Sequence, residues 1–103
     1  MLEAISNGIA FTDRISFIEF SEDERTKYAV IRAIEIIGEA SKKVPLEIKS
    51  QYLEIPWREM SGMRDKLIHD YFGIDVEIVW ATVKDDLPRL KMLLTKMKKE
   101  LNK

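Results

Sequence analysis

Val76, Trp80, Val83, Leu87, Leu90, Leu94, Met97 and Leu101 follow one another at alternating steps of four and three without a break, and no other feature of the chain restricts its fold so strongly. Apolar residues at this period share one face only on an α-helix, and so long a seam calls for an equally long antiparallel partner. Pro88 lies inside the seam, so the helix is expected to kink there or to restart after Asp85 and Asp86.

A second long helical pattern lies upstream. Val30, Ile34, Ile37, Ser41 and Val44 repeat the same spacing beside a second stripe of Ala29, Ala33, Ile36 and Ala40, which implies a helix packed on more than one neighbour. Ahead of it, Leu2, Ile5, Ile9 and Thr12 mark a short first helix with Gly8 as a weak point in its middle. Ser16 with Glu19, and Ser21 with Glu24, both have the form of a capping box; the second is expected to begin the long second helix. Val44-Pro45 ends that helix, and a short helical turn is expected over residues 46–52. Pro56 suits the first position of a third helix, which runs through Met60, Met63, Leu67 and Ile68 toward Tyr71. Gly73 then stops it, and Asp75 caps the last helix. No segment alternates with period two. The expected fold is all-α, an up-and-down bundle of four main helices forming a single domain over residues 1–103. Trp57, Trp80 and the five methionines read as core, and their abundance in so small a chain points to a homodimer that completes the core between subunits.

Composition narrows the chemistry. With no Cys and one His, disulfides and thiolate metal sites are ruled out and the activity is expected to need neither metal nor cofactor. No apolar run approaches the roughly 20 residues of a membrane span, and the first residues lack the pattern of a secretion signal, so a cytoplasmic protein with no membrane contact is expected. The net charge is −1, so no bulk basic field attracts nucleic acid and any contact with RNA must be local. Local clusters exist: Arg58, Arg64 and Lys66; Lys42 and Lys43; and Lys96, Lys98, Lys99 and Lys103 near the end of the chain. The last group reads as a solvated helix end favoured by the helix dipole. No exposed basic recognition helix is evident, which argues against a DNA-reading helix-turn-helix.

Residues 62–71, Gly-Met-Arg-Asp-Lys-Leu-Ile-His-Asp-Tyr, bring an arginine, the only histidine and a tyrosine together as Arg-x4-His-x-Tyr. A permanently charged guanidinium stabilises a phosphoryl anion, and an imidazole moves protons near neutrality. Arg64 and His69 therefore suit attack on a phosphodiester. On a regular helix, however, His69 would lie about 140° round from Arg64. Either the long arginine reaches around, or the helix frays near Asp70, or the groups meet others from a second subunit. Cleavage by 2′-OH attack needs a base and an acid, and two chains across a twofold axis supply two histidines. Blander roles compete: His69 as a helix-end hydrogen-bonding group, Arg64 paired with Glu59, Asp65 or Asp70, Tyr71 as a core residue with a wet hydroxyl, and Glu35 and Glu39 as a solvated face with Glu35 or Glu39 pairing with Arg32.

Together with this motif, Ala33-Ile34-Glu35-Ile36-Ile37-Gly38-Glu39-Ala40, Ile55-Pro56-Trp57-Arg58, Val79-Trp80 and Asp86-Leu87-Pro88 resemble, in order and spacing, the HEPN class of helical proteins, and within it the HepT-like toxins of the HepT and MntA toxin–antitoxin system. The resemblance includes a longer segment ahead of the stretch matching residues 1–5 in family members, so a short first helix is expected here. The resemblance implies a metal-independent, homodimeric endoribonuclease with Arg64 and His69 as the catalytic pair and Asp65 orienting the site. It further implies products ending in a 2′,3′-cyclic phosphate and a 5′-hydroxyl. Silencing is implied by a minimal nucleotidyltransferase antitoxin that transfers AMP from ATP to Tyr71. The competing expectation is a non-catalytic helical dimer serving as a binding or scaffold subunit for such a nucleotidyltransferase.

Overall fold

Side-chain caps set the starts of the second and third helices. The computed structural model describes residues 1–69 and 73–102, with the backbone alone at 68, 69, 73 and 74. Helix α1 (Leu2–Phe11) buries Ala4, Ile5 and Gly8. After a turn in which Arg14 adopts a left-handed φ of 64°, Ser16 caps α2 (Phe17–Glu22). Its hydroxyl accepts from the Glu19 N–H at 3.1 Å, and the Glu19 carboxylate accepts from the Ser16 N–H at 3.1 Å, completing the expected box. The second expected box does not form. Ser21 donates instead to the Ile18 carbonyl at 2.8 Å, and Asp23 starts α3 (Glu24–Lys42), accepting from the Thr26 N–H at 3.1 Å and from the Thr26 hydroxyl at 2.7 Å. The Asp23 carboxylate uses one oxygen for each donor, and its negative charge is favourable at the helix N-terminus. These bonds favour the ionised form and hold the Asp23 carboxyl below its ordinary value.

The central element is α3. It buries Val30, Ile31, Ala33, Ile34, Ile37, Gly38 and Ser41 and packs against α1 and α2 as well as elements later in the chain, so the expectation of several neighbours holds. The second stripe is displaced from the expected one: Ile31 and Gly38 turn inward while Ile36 stays 39% exposed. Gly8 is a point of close approach rather than a weakness. A Cβ there would come within 2.9 Å of the tip of the Leu87 side chain and 3.7 Å of the Ala33 side chain, so glycine lets α1 sit against both without displacing Leu87.

After α3, helix α4 (Leu46–Gln51) follows Pro45 as expected. Pro56 precedes α5 (Trp57–Ser61) instead of opening it, with φ −79° and ψ 70°; the Trp57 indole N–H donates to the Tyr52 carbonyl at 3.1 Å and fixes the entry. The expected third helix is divided. It breaks at Gly62, resumes as α6 (Met63–Leu67), and then gives way to a minimal antiparallel ladder of β1 (Ile68–His69) and β2 (Gly73–Ile74), pairing Ile68 with Ile74 and His69 with Gly73. The Leu67 carbonyl accepts from the Asp75 N–H at 3.0 Å, a bond that carries the chain straight from the helix end to the start of the next helix. Gly73 thus belongs to the ladder instead of acting as a helix stop.

The long seam is realised as a continuous rod: α7 (Val76–Ala81), a π-helical turn (Thr82–Asp86) and α8 (Leu87–Leu101). Asp75 caps it, accepting from the Ile78 N–H at 3.2 Å. Pro88 lies in the first turn of α8, so the restart after Asp86 occurs, but without a break. Proline has no N–H to donate and crowds the carbonyl one turn earlier; the wide turn just ahead of it accommodates that crowding. Val83, Leu87, Leu90 and Leu94 are buried along the seam. Trp80 packs edge-on to Phe17 at 5.9 Å and tilted on Phe20 at 5.2 Å. Lys84 lies over its ring at 4.8 Å and donates to the Thr12 carbonyl at 2.7 Å, tying the rod to the end of α1. Met60 and Met63 are core, whereas Met92 is 66% exposed, contrary to its expected burial. Among the described residues, no helix is long and apolar enough to cross a membrane.

Candidate functional site

The site begins with a close helix contact. A Cβ at Gly38 would stand 3.3 Å from the Met60 carbonyl oxygen and 3.5 Å from that of Ser61, so glycine lets α5 lie directly on α3. Beside it the Ser41 and Ser61 hydroxyls are 2.9 Å apart, with the Gly38 carbonyl 2.8 Å from the first and the Trp57 carbonyl 3.0 Å from the second. Because α5 is pinned here, the position of α6 after Gly62 is settled as well. Met63 and Leu67, one turn apart, enter the core, and Arg64 next to Met63 emerges along the α3 flank.

There Arg64 meets Glu35, three residues before Gly38 on the same helix. The Arg64 Nε lies 3.5 Å from Glu35 Oε2, and its Nη1 lies 3.7 Å from Asp65 Oδ1. The Arg64 side chain is 53% exposed and that of Glu35 is 31% exposed. These contacts are ionic and longer than good hydrogen bonds, so they orient the guanidinium while leaving most of its five donors available to an incoming anion. Asp65 is open to solvent and touches Arg64 alone among the charged groups described. Glu35 therefore pairs with Arg64, where packing or a salt bridge with Arg32 was expected. Asp65 is the residue expected to orient the site, whereas nothing in the residues alone marks Glu35; the one signal is Gly38, whose place in mid-helix shows which flank of α3 another backbone approaches.

His69 has left the helix. It sits in β1, opposite Gly73, so the phase that would hold it about 140° from Arg64 on a regular helix does not apply. The fraying considered for Asp70 therefore sets in at Ile68, ahead of the histidine. Asp70 and Tyr71 lie outside the described residues, as does the role expected for Tyr71.

A small all-α protein in which Arg-x4-His straddles the end of a short helix is of the HEPN-like class. Residues 1–97 match the family described as Ribonuclease HepT-like, and the chain belongs to that family of enzymes. It is 56% identical over 97 residues to "Probable ribonuclease HepT" of Thermococcus cleftensis, covering 94% of this chain and 88% of that protein. It is 45% identical over 101 residues to "Putative RNase MJ1216" of Methanocaldococcus jannaschii, covering 98% of this chain and 84% of the other. In the same organism, all of this chain aligns at 43% identity with 46% of the "Gamma-glutamylcyclotransferase and putative RNase MJ0434". No solved structure matches the chain.

Proposed function

We propose that this protein is the toxin of a toxin–antitoxin pair, a metal-independent, cytoplasmic endoribonuclease acting as a homodimer. The observation that carries this reading is the presentation of Arg64: a half-exposed guanidinium steadied by Glu35 on the short helix that ends just before His69. Family membership over residues 1–97 supports the same chemistry.

In the proposed reaction a neutral His69 imidazole takes the proton of the 2′-OH as O2′ attacks phosphorus. The protonated His69 of the second subunit gives a proton to the departing 5′-oxygen. The P–O5′ bond breaks, leaving a 2′,3′-cyclic phosphate and a 5′-hydroxyl. Arg64 stabilises the extra charge on the phosphoryl oxygens through planar, bidentate hydrogen bonds, and Asp65 holds its guanidinium in place. No metal or cofactor enters. Silencing follows from AMP transfer, with ATP as donor, from a minimal nucleotidyltransferase antitoxin to Tyr71. The attached phosphate would compete with RNA for Arg64.

The test is incubation with total RNA in excess EDTA, using protein shown by mass spectrometry to carry no AMP. Wild-type protein should cut and His69→Ala should not. If neither cuts while both are dimeric, a non-catalytic scaffold for the nucleotidyltransferase becomes the better reading.

A further inference from the structure

Lys66 follows Arg64 by two residues and so leaves α6 on roughly the opposite face, where it faces a separate groove between α5–α6 and the π turn with the start of α8. This groove encloses about 620 Å³ and is lined by Arg58, Lys66 and Arg89 among its polar groups, together with Glu59 and Asp86. Its floor is apolar, formed by Pro56, Met60, Met63 and Leu90. The volume lies within the roughly 300–1,000 Å³ range of sites that hold small ligands.

The charge arrangement is unusual for a chain of net charge −1. Three exposed cations converge on one concavity, and among the described residues none of them forms an ion pair, although two carboxylates line the same groove. Lys96 stands seven residues beyond Arg89, about 20° away around the helix, so the basic row continues from the groove onto the exposed flank of α8. Cations left unpaired along a line suit a chain of phosphates. The lining contains no aromatic ring, so bases have nothing to stack on.

We propose that this groove is a backbone-binding track for single-stranded RNA, in which Arg58, Lys66 and Arg89 hold phosphates and guide the strand along the helix that carries Arg64. The assignment rests on the ribonuclease reading for its ligand. Contacts confined to phosphates position a strand without reading its bases, so the track accepts unrelated sequences alike. These three residues are positioning residues and stand apart from the reacting atoms.

The experiment measures binding instead of cleavage. In a His69→Ala background, a short fluorescein-labelled single-stranded RNA is titrated by anisotropy across a series of salt concentrations. Replacing Arg58, Lys66 or Arg89 singly by Ala should lower the slope of log affinity against log salt by about 0.7. The double reversal Lys66→Glu, Arg89→Glu should weaken binding at least roughly tenfold at low salt, with an unchanged circular-dichroism melt. Arg25→Glu, on the first turn of α3, should bind like the parent. The inference is overturned if the parent does not bind, if the double reversal binds as well as the parent, or if Arg25→Glu weakens binding equally. In the second case a protein partner becomes the better occupant. Because cleavage by unmutated protein is scored separately, binding without cutting would sink the ribonuclease reading and leave the track standing.

Discussion

The ion pair between Arg64 and Glu35 is too exposed to matter much for folding, since pairs in water contribute at most about 1 kcal/mol. Its value lies in where it holds the guanidinium. Glu35→Gln should leave the melting temperature unchanged yet lower the single-turnover cleavage rate by up to roughly 10²-fold, because small misplacements of a catalytic group are costly. A comparable loss of melting temperature would mean that Glu35 is structural and Arg64 needs no such support. Gly38 acts through packing. An added Cβ at 3.3 Å from a backbone oxygen requires α5 to give by a few tenths of an ångström, and overpacking costs about 1–3 kcal/mol against the roughly 1 kcal/mol that alanine gains in a helix. Gly38→Ala should therefore lower stability in urea denaturation and, by moving α6, reduce cleavage as well. Arg64 and Asp65 are adjacent to the histidine motif and visible in it. Glu35 is not, because 29 positions separate it from its partner and only the packing of α6 on α3 joins them.

At the scale of elements, the caps and the rod are the informative parts. Asp23 is held below its ordinary pKa of 3.8 by hydrogen bonds from Thr26. Its contribution to stability is thus present above that value and is lost as pH falls through the lower, folded value. Asp23→Asn keeps an acceptor but cannot titrate, so its acid denaturation curve should be flatter below about pH 4 than that of the wild type. An unchanged curve would assign the acid limb to other carboxylates. Leu94, buried in the seam of α8, should cost about 2–5 kcal/mol when replaced by Ala, a large part of the 5–15 kcal/mol typical of a domain. The four-three spacing was enough to identify this rod, and the serine box to identify the cap at Ser16, although no separate helix was expected over residues 17–22. The division of the third helix was not legible, because Met60, Met63 and Leu67 keep helical spacing straight across Gly62. The carbonyl of Leu67, which is bonded to Asp75, ends that helix through a contact with a residue beyond the ladder.

For the whole molecule, the homodimer proposal has its own consequence. If dimerisation completes the site, both the melting temperature and the specific cleavage rate should rise with protein concentration, and light scattering should report twice the mass of the chain. A monomer with full cleavage activity would remove the second histidine from the mechanism. Exposed apolar residues such as Ile36, one position from Glu35, and Leu46 and Leu53 are available for burial between subunits. What the sequence alone determined is the all-α class, the long seam, the cap at Ser16 and the Arg-x4-His spacing, because periodicity, capping and motif spacing are local properties carried by neighbouring residues. The tertiary structure decided that Gly8 and Gly38 are points of contact, that Glu35 belongs with Arg64, that His69 stands off the helix, and that Arg58, Lys66 and Arg89 share one groove. Each of these depends on which distant backbones approach one another, and that is settled by burying the apolar faces together, not by any short stretch of chain.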